Sequence, residues 1–147
     1  EKLNNEFGES IKEFIVLLPT APLRTAKDID NAVEIFNRNV AETVISVVEA
    51  EHPPTWYKKI NKSGILEDYF PSVDNSLNRQ EVEQTYLPNG AIYIFNYNSL
   101  KNNYSYYNEK TYPYIMSKVN SVDIDTEDDF QLAEYFLDRL HLTRQKI

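Results

Sequence analysis

The amino-acid sequence predicts one α/β domain, and three features of it carry that expectation. Two short runs, Phe14–Leu18 and Thr43–Val48, bracket a segment with helical periodicity; a third run, Ala91–Phe95, follows an Asn-Gly pair; a capped, periodic segment closes the chain. With 147 residues the chain has the length of a single domain with a core of ordinary size.

Each element has its own signal. Phe14-Ile15-Val16-Leu17-Leu18 is a continuous apolar run closed by Pro19, the pattern of a strand buried on both faces of a parallel sheet. Thr25 followed three residues later by Asp28 is an N-terminal capping pattern, after which Ile29, Ala32, Val33 and Phe36 recur along one helical face. Thr43–Val48 is rich in β-branched residues and reads as a second strand. Strand, helix, strand is a βαβ unit, which implies a parallel pair with ligands collecting at the carboxyl ends of its strands; Pro19–Arg24 lies at such an end. From Glu51 to Pro88 the pattern weakens into an excursion too long for an ordinary loop. Asn89-Gly90 supplies turn chemistry before the strand Ala91–Phe95, and Tyr112–Met116 and Val122–Asp125 read as further extended pieces. Thr126 with Asp129 repeats the capping pattern, and Phe130, Ala133, Leu137 and Leu140 form an apolar stripe on the last helix.

Composition narrows the function. Lys plus Arg number 15 against 23 for Asp plus Glu, a formal charge of -8, which disfavours a broad electrostatic grip on nucleic acid or anionic lipid. No apolar stretch approaches the roughly 18 residues of a spanning helix, so no membrane partner is expected. The absence of cysteine excludes disulfide scaffolds, thiolate zinc sites and cysteine nucleophiles, and accords with the cytoplasm, where we expect the protein. Three glycines leave no Gly-rich phosphate loop and no dinucleotide fingerprint. The opening Glu1-Lys2-Leu3-Asn4 reads as the tail of a helix, so a fragment is expected.

Asp123-Ile124-Asp125 is the sharpest local feature. In an extended segment alternate side chains share a face, so both carboxylates point one way and suit a hard cation such as Mg²⁺. Spacing alone favours the plainer reading, exposed acids before an acidic helix start. Arg24 offers a guanidinium for a carboxylate or phosphate, or an ion pair with Asp28 or Asp30, which pattern alone prefers. His52 beside two prolines and His141 near a helix end have no nucleophile near them in sequence. Tyr104, Tyr106, Tyr107, Tyr112 and Tyr114 suit a pocket wall, or the core and subunit interfaces where tyrosine is commonly found.

Taken in order, Leu18-Pro19-Thr20-Ala21-Pro22-Leu23-Arg24-Thr25, Asp28-Ile29, His52-Pro53-Pro54 with Trp56, Arg79-Gln80, Asn89-Gly90-Ala91-Ile92-Tyr93-Ile94, Tyr114-Ile115-Met116 and Asp123-Ile124-Asp125-Thr126 with Asp129-Phe130 form a set. With it the chain resembles the acylneuraminate cytidylyltransferases, or CMP-sialic acid synthetases. The resemblance implies a Rossmann-like α/β/α nucleotide-diphospho-sugar transferase fold, incomplete at the N-terminus, covering 1–147 as the C-terminal portion of a single domain. It implies that the anomeric hydroxyl of a nonulosonic acid attacks the α-phosphate of CTP, with Asp123 and Asp125 holding Mg²⁺ against the triphosphate. The sugar site it implies is carried by Asn89 and Tyr93 with Tyr106 and Tyr107, beside the candidate Arg24. The excursion, about residues 52–88, resembles the segment by which such enzymes form homodimers, so that Lys59 and Arg79 would reach the partner's substrate.

The departures from the family are also informative. Leu18 and Leu87 stand where polar residues are common, so a less hydroxylated, legionaminic-type sugar is expected. The family's N-terminal strand and basic, glycine-containing nucleotide loop have no counterpart in these residues, so this polypeptide alone is expected to turn over no substrate and to associate through exposed edges. The rival expectation is a catalytically inactive sugar-binding or dimerisation module of the same fold. Octulosonate-type phosphatases and cytidylyltransferases fit the motif set less well.

Overall fold

The computed structural model describes residues 11–70 and 83–144. They build a mixed α/β arrangement in which β1 (Glu13–Val16), β2 (Thr43–Glu49), β5 (Tyr86–Asn96) and β6 (Thr111–Met116) form one sheet in the order β1-β5-β2-β6. Helices α1 (Ala26–Arg38), α2 (Tyr97–Asn103) and α3 (Glu127–Arg144) follow β1, β5 and β6 respectively. A second, two-stranded sheet pairs β3 (Lys58–Ile60) with β4 (Leu66–Asp68) antiparallel. By compactness the chain divides into Glu1–Val48 with Pro88–Ile147, and Glu49–Leu87.

The sheet differs from a simple βαβ pair. β1 pairs antiparallel with β5, Phe14 opposite Phe95 and Val16 opposite Tyr93, while β2 pairs parallel with β6. The contacts Asn96 to Glu42 and Ile92 to Ser46 show one number rising as the other falls, so β5 also runs antiparallel to β2. The first two strands are therefore parallel but one strand apart, with β5 inserted between them. Nor is β1 buried on both faces: Ile15 is 40% exposed, and no further strand flanks it among the described residues. The apolar run Phe14–Leu18 continues past the strand into the loop that leads to α1.

α1 forms where the capping pattern places it. Thr25 accepts from the Asp28 N–H at 3.2 Å, and the Asp28 carboxylate accepts in return from the Thr25 N–H at 2.8 Å, so both orphan donors are met. Its buried face, Ala32 and Phe36 with the flanking Ile29 and Val33, packs into one core with Val44 of β2, Ile92 and Ile94 of β5, and Tyr114 and Met116 of β6. α3 starts after Thr126 as its cap predicts, but the expected stripe is largely uncovered. Ala133 is buried, whereas Phe130 is 48% exposed and Leu140 41%.

Candidate active site

Three chain segments converge at the end of the sheet where β1 exits and β5 begins. The loop after β1, the Asn89-Gly90 pair, which lies within β5 and not in a turn before it as expected, and the connection from β6 to α3 meet through named bonds. Asp123, Ile124 and Asp125 lie in that connection as irregular chain, between a 3₁₀ turn at Val119–Ser121 and α3, and not in a strand as expected. The Ile124 N–H donates to the Thr20 carbonyl at 2.8 Å, which ties this connection to the loop after β1.

The two acids differ in surroundings. Asp125 is exposed, whereas Asp123 is partly buried, and its Oδ1 has no contact with water and no hydrogen-bond partner. Its Oδ2 lies 3.6 Å from where a Cβ on Gly90 would stand, and Leu18 Cδ1 lies 3.2 Å from the same point. Glycine at φ +73° thus meets two demands, a left-handed backbone and a close approach by Leu18, with the Asp123 carboxylate at ordinary contact distance. An unpaired buried carboxylate oxygen is costly without a counter-charge. The donor set, all carboxylate oxygen, suits a hard cation that takes its remaining ligands from water or phosphate. Among the described residues no group of three or more His, Cys, Asp or Glu side chains converges, so those residues would supply at most two such ligands.

Tyr93, in mid-β5, stacks on Phe95 with centroids 6.1 Å apart, and Tyr106 tilts against both at 6.3 and 5.5 Å. Burial first, then the neighbouring Tyr107, Tyr106 and Asp123, raises the Tyr93 phenol above its ordinary value, so at neutral pH it is protonated and able to donate. Tyr106 and Tyr107 are themselves more than half exposed. The expected pair is thus near Tyr93 on an open face and outside the core.

Arg24 makes neither expected ion pair its main engagement. Its Nη1 donates to the Leu18 carbonyl at 3.1 Å and the Ala91 carbonyl at 2.7 Å, lacing the loop after β1 to β5. Asn89 is buried and its amide is engaged on both sides. Oδ1 accepts from Ser46 Oγ at 2.6 Å and the Ala91 N–H at 3.2 Å; Nδ2 donates to Ser121 Oγ at 2.8 Å and to Met116 Sδ at 3.3 Å. Lys59 is exposed on β3, in the separate unit Glu49–Leu87. Arg79 lies outside the described residues.

Sequence reasoning missed the polar residues that link these parts. Asp28 read as a helix cap or an ion-pair partner of Arg24, yet its Oδ1 accepts from Tyr114 OH at 2.8 Å and its Oδ2 from Asn120 Nδ2 at 3.0 Å. Burial alone would push this carboxyl up. The bonds from the Thr25 side chain and backbone, Tyr114 and Asn120 outweigh it and hold the carboxyl below its usual range. Ser46 interrupts the run Thr43-Val44-Ile45-Ser46-Val47-Val48, and this single unbranched polar residue among β-branched ones is the visible sign of a buried partner.

No protein-family model matches the chain. Among curated proteins it is 34% identical over 122 residues to an N-acylneuraminate cytidylyltransferase of Streptococcus agalactiae serotype V, covering 83% of this chain and 29% of the relative. It is 32% identical over 127 residues to the CMP-N,N'-diacetyllegionaminic acid synthase of Legionella pneumophila, covering 84% of this chain and 53% of the relative. A Campylobacter coli protein named for post-translational flagellin modification is 30% identical over 124 residues, 84% of this chain and 52% of that one. The chain thus spans from under a third to about half of the length of these relatives.

These matches, over a chain with an α/β sheet, make it a relative of nucleotidyltransferases. Within that class the kinship is specific. The chain belongs to the acylneuraminate cytidylyltransferase family, as the ordered motifs implied.

Proposed function

We propose that the protein transfers CMP from CTP to a nonulosonic acid. The anomeric oxygen bonds to the α-phosphorus, the α–β phosphoanhydride bond breaks, pyrophosphate leaves with the electron pair, and the hydroxyl proton passes to solvent. The relatives' names support the reaction class, and the Rossmann-like α/β/α fold of nucleotide-diphospho-sugar transferases suits the sheet order. The observation that carries the site assignment is the buried, unpartnered Oδ1 of Asp123, a carboxylate whose Oδ2 lies beside Gly90.

Asp123 and Asp125 are the residues that would hold Mg²⁺. Bound there, the ion would neutralise triphosphate charge, which phosphoryl-type transfer needs more than it needs a covalent catalyst. The chain's own side chains then bind and orient. The protonated Tyr93 phenol donates to the sugar from a platform of Phe95 and Tyr106, with Tyr107 beside it. Arg24 has five N–H donors, and its two carbonyl bonds use Nη1 alone, so the rest of the guanidinium can meet a carboxylate or phosphate. Asn89 would reach the sugar by exchanging its Nδ2 contact with Met116 Sδ, keeping its bond to Ser121. Leu18, packed at Gly90, lines this space with apolar surface and favours a less hydroxylated, legionaminic-type acid.

The unit Glu49–Leu87 carries exposed apolar side chains in sequence proximity: Trp56, Tyr57, Ile60, Ile65 and Leu66. Such a surface on and beside a short hairpin suits a homodimer contact, with Lys59, and Arg79 outside the described residues, as the candidates to contact the partner's substrate. The cysteine-free composition accords with a cytoplasmic enzyme.

Pyrophosphate release and CMP-sugar mass, measured with CTP, Mg²⁺ and either N-acetylneuraminic or diacetyllegionaminic acid, test the reading. An N-terminally longer form is expected to turn over the legionaminic acid faster, and the 147-residue chain alone to be silent for want of a phosphate loop. Sugar binding without turnover in the longer form would instead establish an inactive module. Equal activity of both forms would overturn the silence.

A further inference from the structure

The connection bearing Asp123 and Asp125 is irregular chain, and a metal ligand on irregular chain needs fixing from outside. In this molecule, beside the local bond of Asp125 N–H to Asp129, three hydrogen bonds to distant residues do so. Ile124 N–H is held by Thr20 O at 2.8 Å on one side. On the other, Ser121 Oγ accepts from Asn89 Nδ2 at 2.8 Å, and Asn120 Nδ2 donates to Asp28 Oδ2 at 3.0 Å across 92 positions of sequence. The intervening 3₁₀ turn is closed on itself, the Asn120 N–H donating to Ser117 Oγ at 3.1 Å and Ser121 Oγ to Ser117 O at 2.7 Å. Asn120 is thus joined to Asp123 through a closed turn and two intervening residues.

Asp28 is suited to be the fixed point. It is 7% exposed, and both oxygens are filled by neutral donors: Thr25 N at 2.8 Å, Thr25 Oγ at 2.6 Å and Asn120 Nδ2 on Oδ2, and Tyr114 OH at 2.8 Å on Oδ1. The amino end of α1 stabilises its negative charge in place of a basic side chain. A cap needs only the Thr25 bonds. The bonds from Tyr114 and Asn120 join α1, β6 and the turn before the acids, so the carboxylate sits where three elements meet.

We propose that Asp28, through Asn120, is a positioning residue that holds the Asp123–Asp125 connection in register for a divalent cation. This rests on the cation reading of the proposed function. Asp28 touches neither cation nor substrate; it acts by restricting where the inner carboxylate can go. Outer-shell partners of this kind typically change metal affinity by about 10- to 100-fold when removed.

Asn120→Ala is the informative substitution, because it cuts the tie to the connection and leaves the Thr25–Asp28 cap and the Tyr114 bond in place. Binding of Mn²⁺ alone, followed by the electron paramagnetic resonance signal of the free ion, is compared among the parent, Asn120→Ala, Asp123→Ala and Asn31→Ala. Asn31 bonds Tyr114 OH at 3.4 Å without touching the connection, and so controls for a general loosening of the network. The expected result is binding in the parent that Asp123→Ala abolishes, a loss of about tenfold or more in Asn120→Ala, and parent-like affinity in Asn31→Ala. Hydrogen exchange is expected to quicken in 121–125 of Asn120→Ala while α1 stays protected, which a globally unfolded variant would not show. Asp123-dependent binding of equal strength in parent and Asn120→Ala would overturn the positioning role and leave the cation reading intact. Absence of any Asp123-dependent binding in the parent would overturn the cation reading, and this proposal with it.

Discussion

Asp123 is expected to reduce stability in the absence of a cation, and its removal provides a direct measure. Its Oδ1 is buried with no partner. An orphaned buried acceptor costs about 1–3 kcal/mol, and the lower end applies because the residue as a whole is only partly buried. Asp123→Ala removes that oxygen and leaves the Ile124–Thr20 backbone bond in place. The variant should therefore be more stable than the parent by about 1 kcal/mol in EDTA, roughly 2–4 °C in Tm for a chain of this size. In Mg²⁺ at 100 times its Kd the parent should gain about 2.7 kcal/mol that the variant cannot, and the order of stability should reverse. Urea unfolding of both proteins, in EDTA and across a MgCl₂ series, measures each part. A variant less stable than the parent in EDTA would mean that the carboxylate has a structural role, and equal Mg²⁺ increments in the two proteins would refute the cation reading.

Gly90→Ala places a side chain at φ +73°, 3.2 Å from Leu18 Cδ1. It should cost about 1–2 kcal/mol from left-handed backbone alone; differential scanning calorimetry should show Tm lower by about 2–8 °C, and an unchanged Tm would count against the strain. The Asp28 carboxyl is held below its usual value, so the folded state binds fewer protons than the unfolded one. Its contribution is full above the unfolded pKa near 3.9 and is lost as pH falls through the folded value. Asp28→Asn should accordingly cost about 1.5–3 kcal/mol at pH 7 and flatten the acid limb of stability against pH in urea titrations; an unaltered limb would show that other carboxylates produce it. Tyr93→Phe should leave stability within about 0.5 kcal/mol and raise the sugar KM by about tenfold, seen in steady-state pyrophosphate release, because a protonated phenol donor is lost. An unchanged KM would remove Tyr93 from the sugar site.

What could be read from the sequence was local. The capping pairs Thr25/Asp28 and Thr126/Asp129 announced both helix starts, because a cap is written within four residues. The β-branched run at Thr43–Val48 formed a strand for the same reason. What failed depended on distant partners. The apolar run Phe14–Leu18 is compatible with any buried strand, and nothing in it reveals that β5 would insert antiparallel between β1 and β2. The last helix shows the limit from another side: its stripe is real as a pattern, yet only Ala133 among Phe130, Ala133, Leu137 and Leu140 is buried. At the site, the ordered motifs picked out Asp123, Asp125 and Tyr93, whereas the tie from Asp28 to Asn120 spans 92 positions and leaves no local trace in either residue.

The position of the acid pair, at the start of a helix, appears unfavourable for a cation, since the amino end of a helix carries about half a positive charge. Asp129 removes the difficulty. Its carboxylate accepts from Thr126 Oγ at 2.7 Å, Thr126 N–H at 2.9 Å and Asp125 N–H at 3.2 Å, bonds that also hold it ionised at neutral pH. With those amides satisfied, the side chain of Asp125 is not drawn back to cap α3 and remains exposed. Glu127 and Asp128, in the same first turn, reverse the local sign further. The helix start thus presents negative charge outward through Asp125, while Asp123 lies inward against Gly90. That division, one acid committed to the helix and two kept from it, would allow a helix terminus suited to anions to serve the proposed cation, which carries phosphate with it.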